Sequence, residues 1–509
     1  MKRNHIYFSV ALIALLCSCQ QNTSNEAASN ITTIIVSPEG ERIDSLLTPY
    51  VKTLRSLTDN TAGLAIGITK GNRIIYARTF GYENIAEKTE ADFNTLFHIA
   101  SVSKPFTAAA IVKLIQQKKL NLEDKIVDHI PEFKMKGEAY KHITIQHILN
   151  HTSGIPRHVS ENNWLNPKPL EANLDFVKDF ELDFEPGSQF NYSNSAFDIL
   201  GIVISRASGL SYADYVTTHI LKPAGMTQST FIKPKNTLPP HWAVPYSYGL
   251  ETQEWTPFPH AENYLPSSGL QTTLLDMCQW GMLHANQGSL NGKHVIENSY
   301  FKLLTTPTYE TPWGNTIGLS WFLQSYLERP IIMHTGSDTG FEAIMYIYPN
   351  EDISIIVMAN RDFARTGRII NAASEIIYNQ TPKTYQVSAK YKFAETYKAH
   401  GITRAITEWN ELKKDTTDIY NVDDDAILTT GAILENGKQW KATKEILDYY
   451  TSLNDQSTYA WRLLGNANLN LKDTTAAIQC YQKTLDINPD YTKGKIALES
   501  LLKTKSTTQ

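Results

Sequence analysis

Phe97-His98-Ile99-Ala100-Ser101-Val102-Ser103-Lys104 runs directly into the helix-forming Thr107-Ala108-Ala109-Ala110-Ile111-Val112-Lys113-Leu114, and the rest of the chain is read outward from this stretch. With a helix beginning near Val102, a spacing of three places the Lys104 ammonium about one turn beyond the Ser101 hydroxyl, on the same face. Ser101 then reads as a nucleophile and Lys104 as the partner that eases loss of its proton. The positive end of the helix would stabilise developing negative charge, and the Ser101 N–H is placed to donate to an oxyanion. Pro105 suits a helix start, where its missing N–H costs little. The structural alternative is that Ser101 is an N-cap. The pattern Ser-x-x-Lys recurs at Ser299 to Lys302 and at Ser500 to Lys503, so other residues must decide.

Two further stretches supply candidates. Pro186-Gly187-Ser188-Gln189-Phe190-Asn191-Tyr192-Ser193-Asn194-Ser195 is a turn that delivers Tyr192 and Asn194 to the start of an apolar helix, Phe197 to Ala207. Tyr-x-Asn also occurs at Tyr82 and Tyr348; placement at a helix start favours Tyr192. Ile331-Ile332-Met333-His334-Thr335-Gly336 reads as a strand ending in His-Thr-Gly, followed by strands Ala343 to Tyr348 and Ile353 to Met358 in an antiparallel meander. Trp321-Phe322-Leu323 adds a strand before them, and a helix from Gly367 to Tyr378 covers the sheet. Early in the chain, Ile43 to Leu57 has helical spacing. Leu64 to Ile68 and Ile74 to Ala77 form a hairpin across Lys70-Gly71-Asn72. Leu120 to Phe133 and Ile143 to Leu149 read as short helices before a loop at Thr152 to Pro156. His147 and His151 are four apart, but with no carboxylate or Cys nearby to complete a ligand set they read as hydrogen-bonded loop histidines rather than metal ligands.

Composition bounds the rest. The chain has 509 residues, enough for two or three units, and a net charge of −5 with no basic block, which argues against nucleic acid as a partner. Met1-Lys2-Arg3, the apolar run Ile6 to Leu16 and Leu16-Cys17-Ser18-Cys19 read as a secretory leader. Leu, a small residue and then Cys resembles a bacterial lipobox; the resemblance implies lipidation of Cys19 and a lipid-anchored position on the cell envelope, facing the periplasm or the cell surface. Gln20 to Asn30 reads as a flexible tether. Cys278 and Cys480 are assigned to different domains, so no disulfide is implied.

The order Ser101-x-x-Lys104, Tyr192-x-Asn194, His334-Thr335-Gly336 resembles the serine β-lactamase and penicillin-binding-protein superfamily, most closely its class C β-lactamase-related branch of esterases and D-amino-acid peptidases. Leu149 to Pro156, Pro186-Gly187, Ser267-Ser268-Gly269-Leu270 with Thr272 and Asp276, and Gly340-Phe341 resemble that branch too, from about Leu46 to Asn379. The resemblance implies an α+β fold: an antiparallel sheet flanked by helices, with an inserted helical subdomain. It also implies catalysis by Ser101, Lys104 and Tyr192, oxyanion donors at the Ser101 and Ser337 backbone, and substrate contacts from Asn194, His334, Thr335 and Gly336. No metal or organic cofactor is implied, and the substrate is a small molecule or peptide, including cell-wall fragments. His334 stands where lysine is more usual in the superfamily. A histidine with a pKa of about 6.5 is mostly neutral at pH 7, so a weaker carboxylate anchor is expected, one that strengthens as the pH falls towards 6.

Beyond Asn379 the chain becomes helical and polar. Trp461, Leu464, Gly465, Ala477, Tyr481 and Pro489 have the spacing of a tetratricopeptide repeat, Gly437, Ala442 and Ile446 repeat part of it, and Ala405 with Trp409 is a fainter copy. The expected organisation is a leader at 1–19, a tether at 20–40, a hydrolase domain at 41–380, a linker at 381–398 and all-α helical repeats at 399–509, the last a docking surface for a protein partner or a packing appendage. Two functions compete: a serine hydrolase working through an acyl-enzyme, and a non-catalytic scaffold that binds a partner through the repeats.

Overall fold

A computed structural model describes residues 31–58, 60–157, 167–231, 238–247, 252–384, 386–417 and 419–506. The expected leader, its Cys19 and the expected tether as far as Asn30 lie outside the described residues; the remainder of that tether, to residue 40, is instead built into the fold, as a strand at Thr33–Ile35 that pairs with the strand Arg73–Phe80 and as the start of a helix at Ser37. From Thr32 onward the chain forms one compact unit.

At its centre is a nine-stranded sheet. Its strands are β1 (Thr33–Ile35), β2 (Leu64–Lys70), β3 (Arg73–Phe80), β4 (Tyr309–Glu310), β5 (Thr316–Ile317), β6 (Phe322–Tyr326), β7 (Arg329–Asp338), β8 (Phe341–Tyr348) and β9 (Ile353–Ala359). The spatial order is β1-β3-β2-β9-β8-β7-β6-β5-β4, and every neighbouring pair is antiparallel. The early hairpin therefore docks onto the late meander through β2 and β9, with Ile66 opposite Val357. Everything between β3 and β4 is an insertion, and it carries the helices that build the site.

Both faces of the sheet are covered, which explains why β2, β8 and β9 read as nearly continuous apolar runs. Leu64, Ile66 and Ile68 of β2 face one core together with Tyr346 and Val357. That face is covered by α1 (Ser37–Leu57), through Ile43, Leu47 and Val51, and by α5 (Thr366–Ile377), through Ile369, Ile370 and Ala373. On the opposite face Ala65, Met345 and Met358 join the larger core around α2 (Lys104–Gln116), α3 (Asn194–Ser208) and α4 (Leu274–Ala285). Phe106 of α2 stacks on Trp280 of α4 at 4.0 Å between ring centroids, and both are fully buried. Burial of side chains this large contributes roughly 1.5–3 kcal/mol each, and it pins α2 to α4, which itself lies on β2 and β9.

Several elements differ from the sequence expectation. α1 starts at Ser37, six residues before Ile43; its first turn carries Pro38 and Glu39, which suit a helix start but add nothing to an apolar period. The helical stretch expected at Leu120 to Phe133 contracts to Ile126–His129. The expected linker at 381–398 contains a helix, α6 (Lys390–His400), whose Phe393 packs edge-on against Trp409 at 5.6 Å. It pairs with α7 (Ile402–Leu412), followed by α8 (Asp425–Asn436), α9 (Trp440–Leu453), α10 (Thr458–Asn470), α11 (Thr474–Ile487) and α12 (Thr492–Ser506). These helices bury Ala405, Trp409, Ile427, Ile446 and Tyr450 in a core of their own. At the α10–α11 crossing Gly465 lies flat against the Tyr481 ring, where a β-carbon would overlap the aromatic carbons. Among the described residues no helix is long and apolar enough to cross a membrane.

Candidate active site

Ser101 lies in a 3-10 turn, Ala100–Ser103, that feeds α2, and Lys104 is the first residue of α2 proper. In a 3-10 turn residues i and i+3 eclipse, so the spacing of three brings the two side chains together more directly than an α-helix would. Ala100 has φ of +46°, a left-handed conformation unusual for a residue with a β-carbon. The chain is turned sharply just before the hydroxyl is presented.

The Lys104 side chain is fully buried. Its Nζ lies 2.6 Å from Asn194 Oδ1, 2.9 Å from the Ser267 carbonyl oxygen and 3.1 Å from Ser101 Oγ. Two of those oxygens can only accept, so they take two N–H groups and leave the third direction of the nitrogen facing Ser101. A neutral amine so held presents its lone pair to the serine hydroxyl, the geometry a general base requires. Burial lowers the Lys104 pKa to about 7, against the pull of Asp198 and Asp338, with Arg157 adding to the drop.

Tyr192 completes the group. Its hydroxyl is hydrogen-bonded with Ser101, and burial raises its pKa well above the usual value for a phenol, so it is held protonated. Lys104 Nζ lies 4.8 Å from the ring centroid and the Arg157 guanidinium 5.3 Å from it. Ser193 caps α3, accepting from the Ala196 N–H at 3.1 Å, and this sets Tyr192 and Asn194 on either side of the helix start. The ring of Tyr192 leans on His151 at 4.2 Å. His151 Nδ1 accepts from the Ser193 N–H at 3.1 Å, which fixes a neutral ring with its proton on Nε2, and burial keeps its pKa well below the usual value. His147 Nδ1 accepts instead from the Thr144 N–H at 3.3 Å. Each ring is thus committed to a different backbone donor.

His334, Gly336 and Ser337 lie on β7, which passes beside the serine turn. A β-carbon on Gly336 would stand 3.1 Å from the Ser101 nitrogen and would overlap the Ile99 carbonyl oxygen. Only glycine lets the strand lie this close to the Ser101 amide. Thr335 and Ser337 are exposed, whereas the His334 imidazole is buried. The Nδ1–H of His334 donates to the Thr335 carbonyl at 2.7 Å, and its pKa is lowered to about 3 by burial and by the Lys104 charge. The expected strengthening of a His334 anchor towards pH 6 is therefore corrected: the ring stays neutral throughout that range. Beside it Phe322, at 5.5 Å, joins Phe190 and the exposed Trp313 in an aromatic wall.

Sequence reasoning missed two groups. Asp198 lies four residues after Asn194 on α3, is buried, and accepts from the Ser267 N–H at 3.1 Å. Asp338, at the end of β7, accepts from His98 Nε2 at 3.1 Å, while His98 Nδ1 accepts from the Gln271 amide at 2.7 Å. The available signal for Asp198 was a lone carboxylate within the apolar run of α3. For His98 and Asp338, 240 residues apart, there was none. The decoys sit elsewhere: Ser299 is exposed on a surface helix, and Tyr348 is buried within β8.

The Beta-lactamase family profile matches residues 43–377. The chain belongs to the Beta-lactamase family. As a member of that family it carries in addition a tetratricopeptide repeat matched at residues 458–491, which falls on α10 and α11. "Protein flp" of Staphylococcus aureus (strain MW2) is 30% identical over 324 residues, 62% of this chain and 63% of the relative, so the chain spans just under two thirds of that protein's length. "Penicillin-binding protein 4*" of Bacillus subtilis (strain 168) is 30% identical over 336 residues, 61% of this chain and 71% of the relative. Among solved structures, the octameric penicillin-binding protein homologue from Pyrococcus abyssi aligns with a TM-score of 0.59 at 23% identity, over 70% of this chain and 81% of that one. A class C β-lactamase aligns with a TM-score of 0.57 at 20% identity, over 67% and 96%. These two likenesses concern the fold: the antiparallel sheet with its flanking helices.

Proposed function

We propose that this Beta-lactamase-family protein is an exported serine hydrolase that works through an acyl-enzyme on Ser101, with an ester, amide or peptide as substrate. The observation that carries the reading is the placement of Lys104 Nζ, which is buried and gives two of its directions to Asn194 and Ser267 and the third to Ser101 Oγ.

The chemistry follows from that geometry. Ser101 Oγ attacks the substrate carbonyl carbon as its proton passes to Lys104, with Tyr192 sharing the hydrogen bond. The carbonyl π-bond opens to an oxyanion, which the Ser101 and Ser337 N–H groups receive. Collapse of the tetrahedral intermediate breaks the bond to the leaving group; Tyr192 supplies its proton and regains one from Lys104, which returns to the neutral amine. Water repeats the sequence on the Ser101 ester and releases the acid. Asn194 orients Lys104 and meets the acyl portion of the substrate, and Thr335 lines the approach. Every proton in this cycle moves between groups of the chain, substrate and water.

The name of the Bacillus subtilis relative supports testing penicillin-type β-lactams, and a neutral His334 supports testing uncharged substrates. A panel of chromogenic esters, nitrocefin and peptides ending in D-Ala tests the proposal. Turnover of at least one class, lost in Ser101→Ala, is expected; no turnover of any, with no covalent adduct, would overturn it. The lipobox-like Leu16 to Cys19 supports export and lipid anchoring. The tetratricopeptide repeat supports a protein partner held beside the enzyme.

A further inference from the structure

Beside Lys104 lies one buried carboxyl group that these steps leave unused. Asp198 lies on the same face of α3 as Asn194, one turn on, and only 1% of its surface is exposed. Its Oδ1 accepts from the Ser267 N–H at 3.1 Å, and the Ser267 side chain hydrogen-bonds the same carboxyl group. Ser267 in turn offers its carbonyl to Lys104 at 2.9 Å. The residue before it, Pro266, is held from the other side: its carbonyl accepts from Thr107 Oγ1 at 2.7 Å, and Thr107 shares a hydrogen bond of 2.7 Å with the Tyr212 hydroxyl. The short helix Leu265–Ser268 is thus clamped between α2 and α3, and Asp198 is the clamp on the α3 side.

A carboxyl group in an apolar helix is costly to bury unless its oxygens are met. A structural reading ends there: Asp198 satisfies the Ser267 turn and nothing more. Yet the turn it holds is the one that directs Lys104, whose Nζ takes its other acceptor, Asn194, from the same face of α3.

We infer that Asp198 is a positioning residue for Lys104, acting through Ser267: it fixes the carbonyl that takes one N–H of the amine and so aims the remaining direction of the nitrogen at Ser101. The inference rests on the reading of Ser101 and Lys104 as nucleophile and base. Burial raises the pKa of the Asp198 carboxyl group to about 8, against the pull of Lys104, so the carboxyl and the amine titrate in the same range. Asp198 in its ionised form, one turn into α3, and Asp338, at the end of β7, favour the ammonium form of Lys104, and Arg157, from the loop before α3, opposes it. His151 and His334 face the same nitrogen as neutral rings, and Tyr192 faces it as a protonated phenol. Replacing Asp198 by a group that still accepts but cannot ionise removes the carboxylate form that favours the ammonium, so the neutral amine is favoured and the base stays competent to lower pH.

The experiment uses the full chain and a neutral alkyl fluorophosphonate, with the second-order inactivation rate measured from pH 5 to 9. Wild type, Asp198→Asn and Asp198→Glu are compared, with thermal melts run alongside. Asp198→Asn is expected to move the acid limb down by about one pH unit, with the plateau falling about tenfold as the turn loosens. Asp198→Glu, which keeps the ionisable carboxyl group, should hold the limb within a few tenths of a unit. Should the amide not be accommodated, Asp198→Ser is the second neutral variant, and the same downward shift is expected. A lowered plateau with an unmoved limb in the neutral variants would show a purely structural role and overturn the inference, as would an equal shift in Asp198→Glu. Wild-type protein that is not inactivated at any pH would overturn the nucleophile reading, and this inference with it; the two failures are distinguishable.

Discussion

Gly336 and Ile99 lie so close that a β-carbon on the glycine would overlap the carbonyl oxygen of the isoleucine. Ile99 immediately precedes the left-handed Ala100 and the Ser101 turn, so this contact sets the gap between β7 and Ser101. Gly336→Ala must push strand and turn apart. The expected outcome is a loss of fluorophosphonate labelling of about a hundredfold or more, with destabilisation of roughly 1–3 kcal/mol from overpacking, read from denaturant unfolding. Labelling at the wild-type rate would show that the contact is not needed.

Lys104 sets the second expectation. Its pKa is lowered to about 7, and the form that accepts a proton from Ser101 is the neutral amine, which predominates above that value. Below it the ammonium accumulates, so kcat/KM for a neutral ester should fall about tenfold per pH unit from pH 7 downward. Lys104→Met should abolish turnover and leave no such limb. A rate independent of pH between 5 and 7 in wild type would assign the base elsewhere.

His334 gives a prediction of opposite character. Because its pKa is about 3, the ring contributes no charge between pH 5 and 8. The ratio of kcat/KM for nitrocefin to that for a neutral ester should therefore stay flat across this range, since Lys104 affects both alike. A ratio that climbs towards pH 5 would mean that His334 gains a proton and attracts the substrate carboxylate.

Much of this was legible in the chain itself, and the gaps have physical causes. The three motifs announced the site because two set a chemistry-bearing side chain at a helix start and the third ends an apolar run in His-Thr-Gly, although β7 continues past it to Asp338; β2, β8 and β9 announced the sheet as apolar runs. The start of α1 was invisible because Ser37 to Arg42 carry no apolar period. The helix α6 was read as linker because its polar and aromatic residues hide a stripe that exists only once Phe393 meets Trp409. Asp198 and the His98–Asp338 pair depend on tertiary proximity, which spacing does not encode. The His334 ring looked like an open anchor because its burial and its bond to Thr335 appear only when the strand is placed in the sheet.

Cys19 stands outside the described residues, and its role is tested in cells. If the lipobox-like segment anchors the protein, Cys19→Ser should shift it from the membrane fraction to the soluble fraction on fractionation. Equal membrane association of the two forms would remove the lipid anchor from the account.

The most direct test is mass spectrometry of the intact protein after incubation with a fluorophosphonate, followed by peptide mapping. A single adduct on Ser101 in wild type, absent from a Ser101→Ala variant that melts within a few degrees of wild type, is the predicted result. An adduct that persists in Ser101→Ala, or that maps to the exposed Ser299, would contradict the assignment of Ser101 as the nucleophile.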